Sequence, residues 1–163
     1  MKSLREFFLL DPDIIFFNHG SFGATPRPVF ESYQHWQSEL ERNPVKFMQR
    51  RAPGLLLEAR ATLGAYLGTA GHNLVFVTNA TFGMNVVIRS LKLNPGDEVL
   101  TTDHEYGAIN NTWRFMAEKE GFRYINHHIP IPVTTQEAFV DTLWQGVTPN
   151  TRVISSAKIP GSV

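Results

Sequence analysis

Apolar and polar positions change period several times along the chain, and each change marks an element. Val75-Phe76-Val77 is a short β-branched and aromatic run, the pattern of a strand covered on both faces. Thr78, Asn79 and Thr81 follow at once, and their side-chain oxygens suit a turn or a helix N-cap. Met84, Val87, Ile88 and Leu91 then recur at three- and four-residue spacing, which predicts one face of a helix. Upstream, Ile14-Ile15-Phe16-Phe17 predicts a brief strand after a short amphipathic lead-in. Residues 29–51 read as helical with Tyr33, Trp36 and Leu40 on one face, broken at Asn43-Pro44. Pro53 opens a second helix with Leu56, Ala59, Leu63 and Leu67 as its buried stripe, and Gly68 closes it.

Downstream the alternation is regular. A turn at 94–97 leads to a strand over 98–102, and the polar loop 103–107 leaves it. A helix over 108–120 ends at Gly121, a strand covers 123–127, Thr134 or Thr135 caps a helix to Trp144, and 151–155 forms another strand. Repeated units of this kind predict an α/β fold: a mostly parallel sheet with helices on both faces, joined by right-handed crossovers. Neither an internal repeat nor a low-complexity linker interrupts it.

Composition narrows the function classes without naming one. A chain of 163 residues with 42% hydrophobic content and zero formal net charge suits one soluble domain, with no basic excess for nucleic acid. Zero cysteines exclude disulfides and thiolate metal sites. The apolar runs are too short to span a bilayer, and no signal-length stretch follows Lys2 and Arg5, so a cytoplasmic protein is expected. His127 and His128 are adjacent, so in a strand they face opposite ways and make a poor metal pair.

Candidate chemistry gathers at loops. A strand passing through Thr78–Thr81 into a helix gathers free N–H groups and the positive dipole end, a natural place for a phosphate; a well-capped helix that binds nothing has the same pattern. In parallel sheets ligands bind beyond the carboxyl ends of the strands, where His104 and Tyr106 offer flat rings suited to a planar phosphorylated cofactor. Asn18-His19-Gly20-Ser21-Phe22-Gly23 reads as a pocket wall or a connecting loop, and Arg50-Arg51 as an anion site or a solvated helix end. Ser155-Ser156-Ala157-Lys158 matches a serine-hydrolase pattern by chance, beside Pro160 and Gly161.

Three stretches, taken together, resemble the class V aminotransferase family of pyridoxal-phosphate (PLP) enzymes: 17–28 with Pro26 and Pro28, 75–81, and 96–108. Within it the likeness is to isopenicillin-N-epimerase-like members, with cysteine desulfurases as cousins. The resemblance implies the first part of a PLP-transferase large domain, with 1–25 as arm and pocket loop, 26–155 as incomplete large domain and 156–163 as an atypical tail. It implies that Ala80 and Thr81 hold the PLP phosphate and that His104, or less directly Tyr106, stacks on the pyridine ring. Asn18, His19 and Ser21 would line the substrate pocket, and Arg50 or Arg51 would approach the active site from a subunit partner.

The family's pyridine-pairing Asp and Schiff-base Lys lie further along than Val163, and none of Lys2, Lys46, Lys92, Lys119 or Lys158 matches that lysine. The expectation is therefore an N-terminal fragment, inactive alone, of a homodimeric enzyme acting on a small amino-acid-like substrate, with no catalytic residue assigned in this stretch. The alternative is a non-catalytic phosphate-binding or dimerisation module.

Overall fold

The computed structural model describes residues 4–20 and 22–156. Ser21 and Lys158 lie outside them. The chain forms two compact units that divide between Val75 and Phe76.

The first unit is helical. After a 3₁₀ turn at Leu4–Phe7 come α1 (Arg27–Arg42), α2 (Pro44–Lys46), a π-helical turn at Phe47–Arg51 and α3 (Ala52–Leu67). Asn43 ends α1 and caps α2 through its side chain, which accepts from the Lys46 amide at 3.0 Å, so the Asn-Pro break falls where the sequence places it. Gly68 terminates α3 in the left-handed region at φ 70°. Two expectations fail here. Residues 14–17 form no strand, because Phe8 and Pro26 make only an isolated bridge and no ladder of partners lies beside Ile14–Phe17 among the described residues. The Leu56, Leu63 and Leu67 stripe is exposed rather than buried; its helical period is real, but nothing in its own unit covers it.

The second unit carries α4 (Ala80–Ser90), β1 (Glu98–Thr102), α5 (Gly107–Glu120), β2 (Arg123–His127), α6 (Gln136–Trp144) and β3 (Thr151–Ile154). The strands form one sheet in the order β2-β1-β3, both pairings parallel. Adjacent residues of β1 point to opposite faces, and two cores result. Val99 packs with Ile88 of α4, Ile109, Trp113 and Met116 of α5, and Phe122. Leu100 packs with Ile129 and Leu143, the last from α6. Helices therefore cover both faces, as the alternation of elements predicts. Thr135 is the cap of α6, its hydroxyl accepting from the Ala138 amide at 3.1 Å.

Val75, Phe76 and Val77 depart from expectation. They are 78%, 53% and 45% exposed and lie in no strand. The run has strand chemistry, but a strand exists only through its ladder, and none of β1–β3 pairs with it. No helix among the described residues is long and apolar enough to cross a membrane.

One close approach on the α6 side gives a sharp stability test. A Cβ at Gly146 would sit 2.9 Å from both Leu100 Cδ1 and His127 Nδ1. Leu100 is fully buried, so its methyl cannot swing away. Gly146→Ala is expected to cost about 1–3 kcal/mol through overpacking, read from a lowered urea midpoint; an unchanged midpoint would show that this packing is loose.

Candidate functional site

The first turn of α4 is where the sequence expectation puts a phosphate. Asn79, in extended conformation, accepts from the Phe82 amide through its side chain at 2.8 Å and from the Gly83 amide through its carbonyl at 3.1 Å. The first of these bonds satisfies one orphan amide of the helix start, and the second is the first bond of the helix itself. The amides of the first two helical residues, Ala80, which is exposed, and Thr81, which is half-buried, have no partner inside the helix. Asn85, one turn on, donates to the Thr81 carbonyl at 3.0 Å and its side-chain oxygen lies 3.2 Å from the Thr112 hydroxyl of α5, which also reaches the Ala108 carbonyl at 2.9 Å.

α4 and α5 lie side by side and run the same way. Asn85 meets Thr112 near their middles, and the Arg89 guanidinium lies 5.5 Å from the Phe115 ring centroid. Their carboxyl ends, through Arg89, Leu93, Met116 and Glu120, share a shallow hollow of about 300 Å³. Their amino ends therefore share the other end, where β1 delivers the chain into loop 103–106. That end is the carboxyl edge of the parallel sheet, the usual place for a ligand in such a fold. A larger hollow lined by Val140, Asp141, Trp144 and Gln145 sits on α6 instead, away from this chemistry.

The loop after β1 is rigidly held. The Thr102 hydroxyl accepts from the His104 amide at 3.3 Å. Glu105 accepts from the Thr101 and Ser155 hydroxyls at 3.0 and 3.3 Å and from the Tyr106 amide at 2.8 Å. His104 is half-buried, and its Nε2 lies 2.9 Å from the Ile129 carbonyl. A carbonyl only accepts, so Nε2 carries the hydrogen. Among the described residues no aromatic ring packs against His104. Tyr106 is 60% exposed and serves α5 through its carbonyl, which accepts from the Ile109 and Asn110 amides.

Asp103 is the residue that motif reading passes over. Its carboxylate accepts from the Ile129 amide at 3.0 Å and from His128 Nδ1 at 2.5 Å. The Ile129 amide first, then His128, hold its carboxyl below the ordinary 3.8. A depressed folded-state value adds stability that is present above the unfolded value and is lost as pH falls through the folded one. Protection of the Ile129 amide, its exchange taken relative to the intrinsic rate at each pH, is accordingly expected to fall only below about pH 4; a fall already at pH 5–6 would contradict this assignment. The signal for Asp103 was an acidic side chain at the carboxyl end of a strand beside the ring residue.

The other sequence candidates fall in the first unit. The Asn18 carbonyl accepts from the Phe22 amide at 2.9 Å, closing a turn, and Asn18 itself is exposed. His19 is packed by Phe16, edge-on at 4.7 Å between centroids, and by Phe8 at 5.7 Å. Arg51 is committed: it pairs with Glu39 at 2.7 Å and lies over Trp36 and Phe47. Arg50 is exposed beside it in the π-helical turn.

The sequence pattern of the family described as Aminotransferase class-V matches residues 15–160. The chain belongs to this family. It is 32% identical to isopenicillin N epimerase of Amycolatopsis lactamdurans over 97% of this chain and 40% of that protein. It is 34% identical to the Streptomyces clavuligerus isopenicillin N epimerase over 79% of this chain and 32% of that one. The chain thus spans well under half the length of these relatives. The fold is similar to that of a C-DES mutant with glycine covalently linked to the PLP cofactor: TM-score 0.82, 23% identity, covering 93% of this chain and 40% of that one. It is also similar to the apo cysteine desulfurase of Thermococcus onnurineus, at TM-score 0.70 and 17% identity over 94% of this chain and 38% of that one. The family expectation from the three motifs therefore holds, and so does the fold.

Proposed function

We propose that these residues are the cofactor-holding front part of a PLP-dependent class-V enzyme of the isopenicillin-N-epimerase-like kind, acting on an amino-acid-type substrate. One observation carries the reading. The open amides of Ala80 and Thr81 and the edge-anchored ring of His104 stand on adjacent, co-directional helix starts at the carboxyl edge of the sheet. The residues present fit the group: two unpaired N–H donors and a dipole end suit a phosphate, and a ring held by one edge keeps a face for a heterocycle.

PLP, when bound, supplies an electron sink for charge developing at the carbon bearing the substrate's amino group. Ala80 and Thr81 would bind the phosphate, His104 would orient the ring, and Tyr106 would wall the opening. The resemblance implies substrate-binding roles for Asn18, His19, Ser21 and Arg50; Arg51, already paired with Glu39, is better suited to holding its own segment together. The lysine and carboxylate that PLP chemistry needs are not contributed by this stretch, so the chain is expected to bind without turning substrate over. Transamination, epimerisation, elimination and desulfuration all draw on the same front part.

Equilibrium dialysis of the 163-residue chain against PLP, pyridoxal and inorganic phosphate tests the reading. Retention of PLP, competed by phosphate and weaker for pyridoxal, is the expected result. Equal retention of PLP and pyridoxal would remove the phosphate site, and with it the reading. The exposed Val75, Phe76 and Val77 side chains favour a second reading, a non-catalytic association module. A concentration-dependent dimer that ignores PLP, seen by sedimentation, would support it.

A further inference from the structure

We propose that Asp103 is a positioning residue for His104, acting through the main chain of Ile129, whose N–H and C=O flank one Cα. The inference rests on the PLP reading above for its purpose but not for its geometry. Ile129 donates its N–H to Asp103 Oδ1 at 3.0 Å and accepts at its carbonyl from His104 Nε2 at 2.9 Å. Two consecutive residues of one loop thus clasp two edges of a single residue 25 positions on.

That residue cannot drift. The Ile129 side chain is 1% exposed and packs with Leu100 and Leu143, while the Asp103 amide donates to the His127 carbonyl at 2.9 Å. His104 Nε2 also lies 3.4 Å from Asp103 Oδ1. One hydrogen serves one good acceptor, and the carbonyl at 2.9 Å takes it. Asp103 therefore acts on the ring through the Ile129 main chain rather than by direct contact.

The chemical consequence is a fixed ring. A histidine's outer torsion is broad by itself; here a bond to a pinned carbonyl sets both plane and tautomer. Nε2 is the donor, and Nδ1 is left as the acceptor of the neutral ring. A stacking surface settled before its partner arrives loses less entropy when the partner binds.

Nitrogen-15 spectra of the full chain without ligand test this directly. In the wild type, His104 is expected to be protonated at Nε2, with a slowly exchanging proton there. In Asp103→Ala, Ile129 amide exchange is expected to rise about 10- to 100-fold and the His104 Nε2 proton signal to vanish. Asp103→Asn keeps an acceptor oxygen for Ile129 and is expected to keep that signal, as is His128→Ala. An unaltered His104 signal in Asp103→Ala with the Trp113 indole resonance in its wild-type position overturns the proposal. So does its loss in Asp103→Asn, or a wild-type His104 protonated at Nδ1 instead, which needs no variant to fold.

A second arm reads induced circular dichroism of added PLP. Asp103→Ala is expected to diminish the band while phosphate competition stays as in wild type. If the wild type gives no PLP band yet the nitrogen spectra behave as stated, the cofactor reading fails and the clasp stands.

Discussion

Trp113→Ala is expected to lower the stability of the second unit by about 3–5 kcal/mol, the usual cost of emptying a buried indole site. Trp113 is 1% exposed and stands where α5 meets the sheet. Its ring lies edge-on to Phe122 at 6.1 Å and near-parallel to Tyr124 at 6.2 Å. Its Nε1–H reaches the Ser155 hydroxyl at 3.1 Å, and Ser155 in turn donates to Glu105. The indole therefore joins the first core to the loop that carries His104. With a urea slope near 2 kcal/mol/M, the midpoint is expected to fall by about 2 M, a large share of the total stability of a small domain. Far-UV circular dichroism is the suitable probe, since Trp36 and Trp144 would confuse fluorescence. Trp113→Phe keeps most of the ring and loses one hydrogen bond, so it should fall between the two. A drop under about 0.5 M for the alanine variant would mean that this core face is not closed around the indole.

The parts of the fold that sequence reading found are those whose partners are close along the chain. β1 and β2 fall on the expected residues because a turn at 94–97 and a glycine at 121 bracket apolar alternation that the same unit then buries. The caps at Asn79 and Thr135 were legible for the same reason: a cap is an interaction over three residues. Val75–Val77 failed because the run states only what a strand could be, while a strand also needs a neighbour that the run does not encode. The leucines of α3 failed likewise, with a sound period and no cover in their unit.

The site divides along the same line. Ala80, Thr81 and His104 could be proposed from sequence because a helix start and a loop ring have local signatures. The clasp of Asp103, Ile129 and His104 could not, because its centre is the main chain of a residue distant in sequence, and a backbone carbonyl has no residue type to recognise it by. His128 was read only as half of an adjacent histidine pair; its partnership with Asp103 needs the parallel pairing of β1 with β2 to exist at all.

Ala80→Pro separates the proposed anion site from the helix that would make it. Ala80 is the first residue of α4, and Asn79 before it is extended at φ −165° and ψ 170°, close to the extended region that a residue before proline favours. Proline is favoured at this helical position because its missing N–H has no partner within the helix. Stability is therefore expected to change by less than about 1 kcal/mol. The same missing N–H is one of the two open amides, so a bound phosphate loses a charge-assisted hydrogen bond of about 1.5–3 kcal/mol. PLP and inorganic phosphate are both expected to bind about 10- to 100-fold more weakly, while pyridoxal, lacking the phosphate, keeps its affinity. Isothermal titration of wild type and variant with the three ligands reads all of this. Undiminished phosphate binding in a variant that melts like the wild type would place the anion elsewhere than the start of α4. A loss shared equally by pyridoxal would show that the proline had disturbed the ring's surroundings rather than removed one donor.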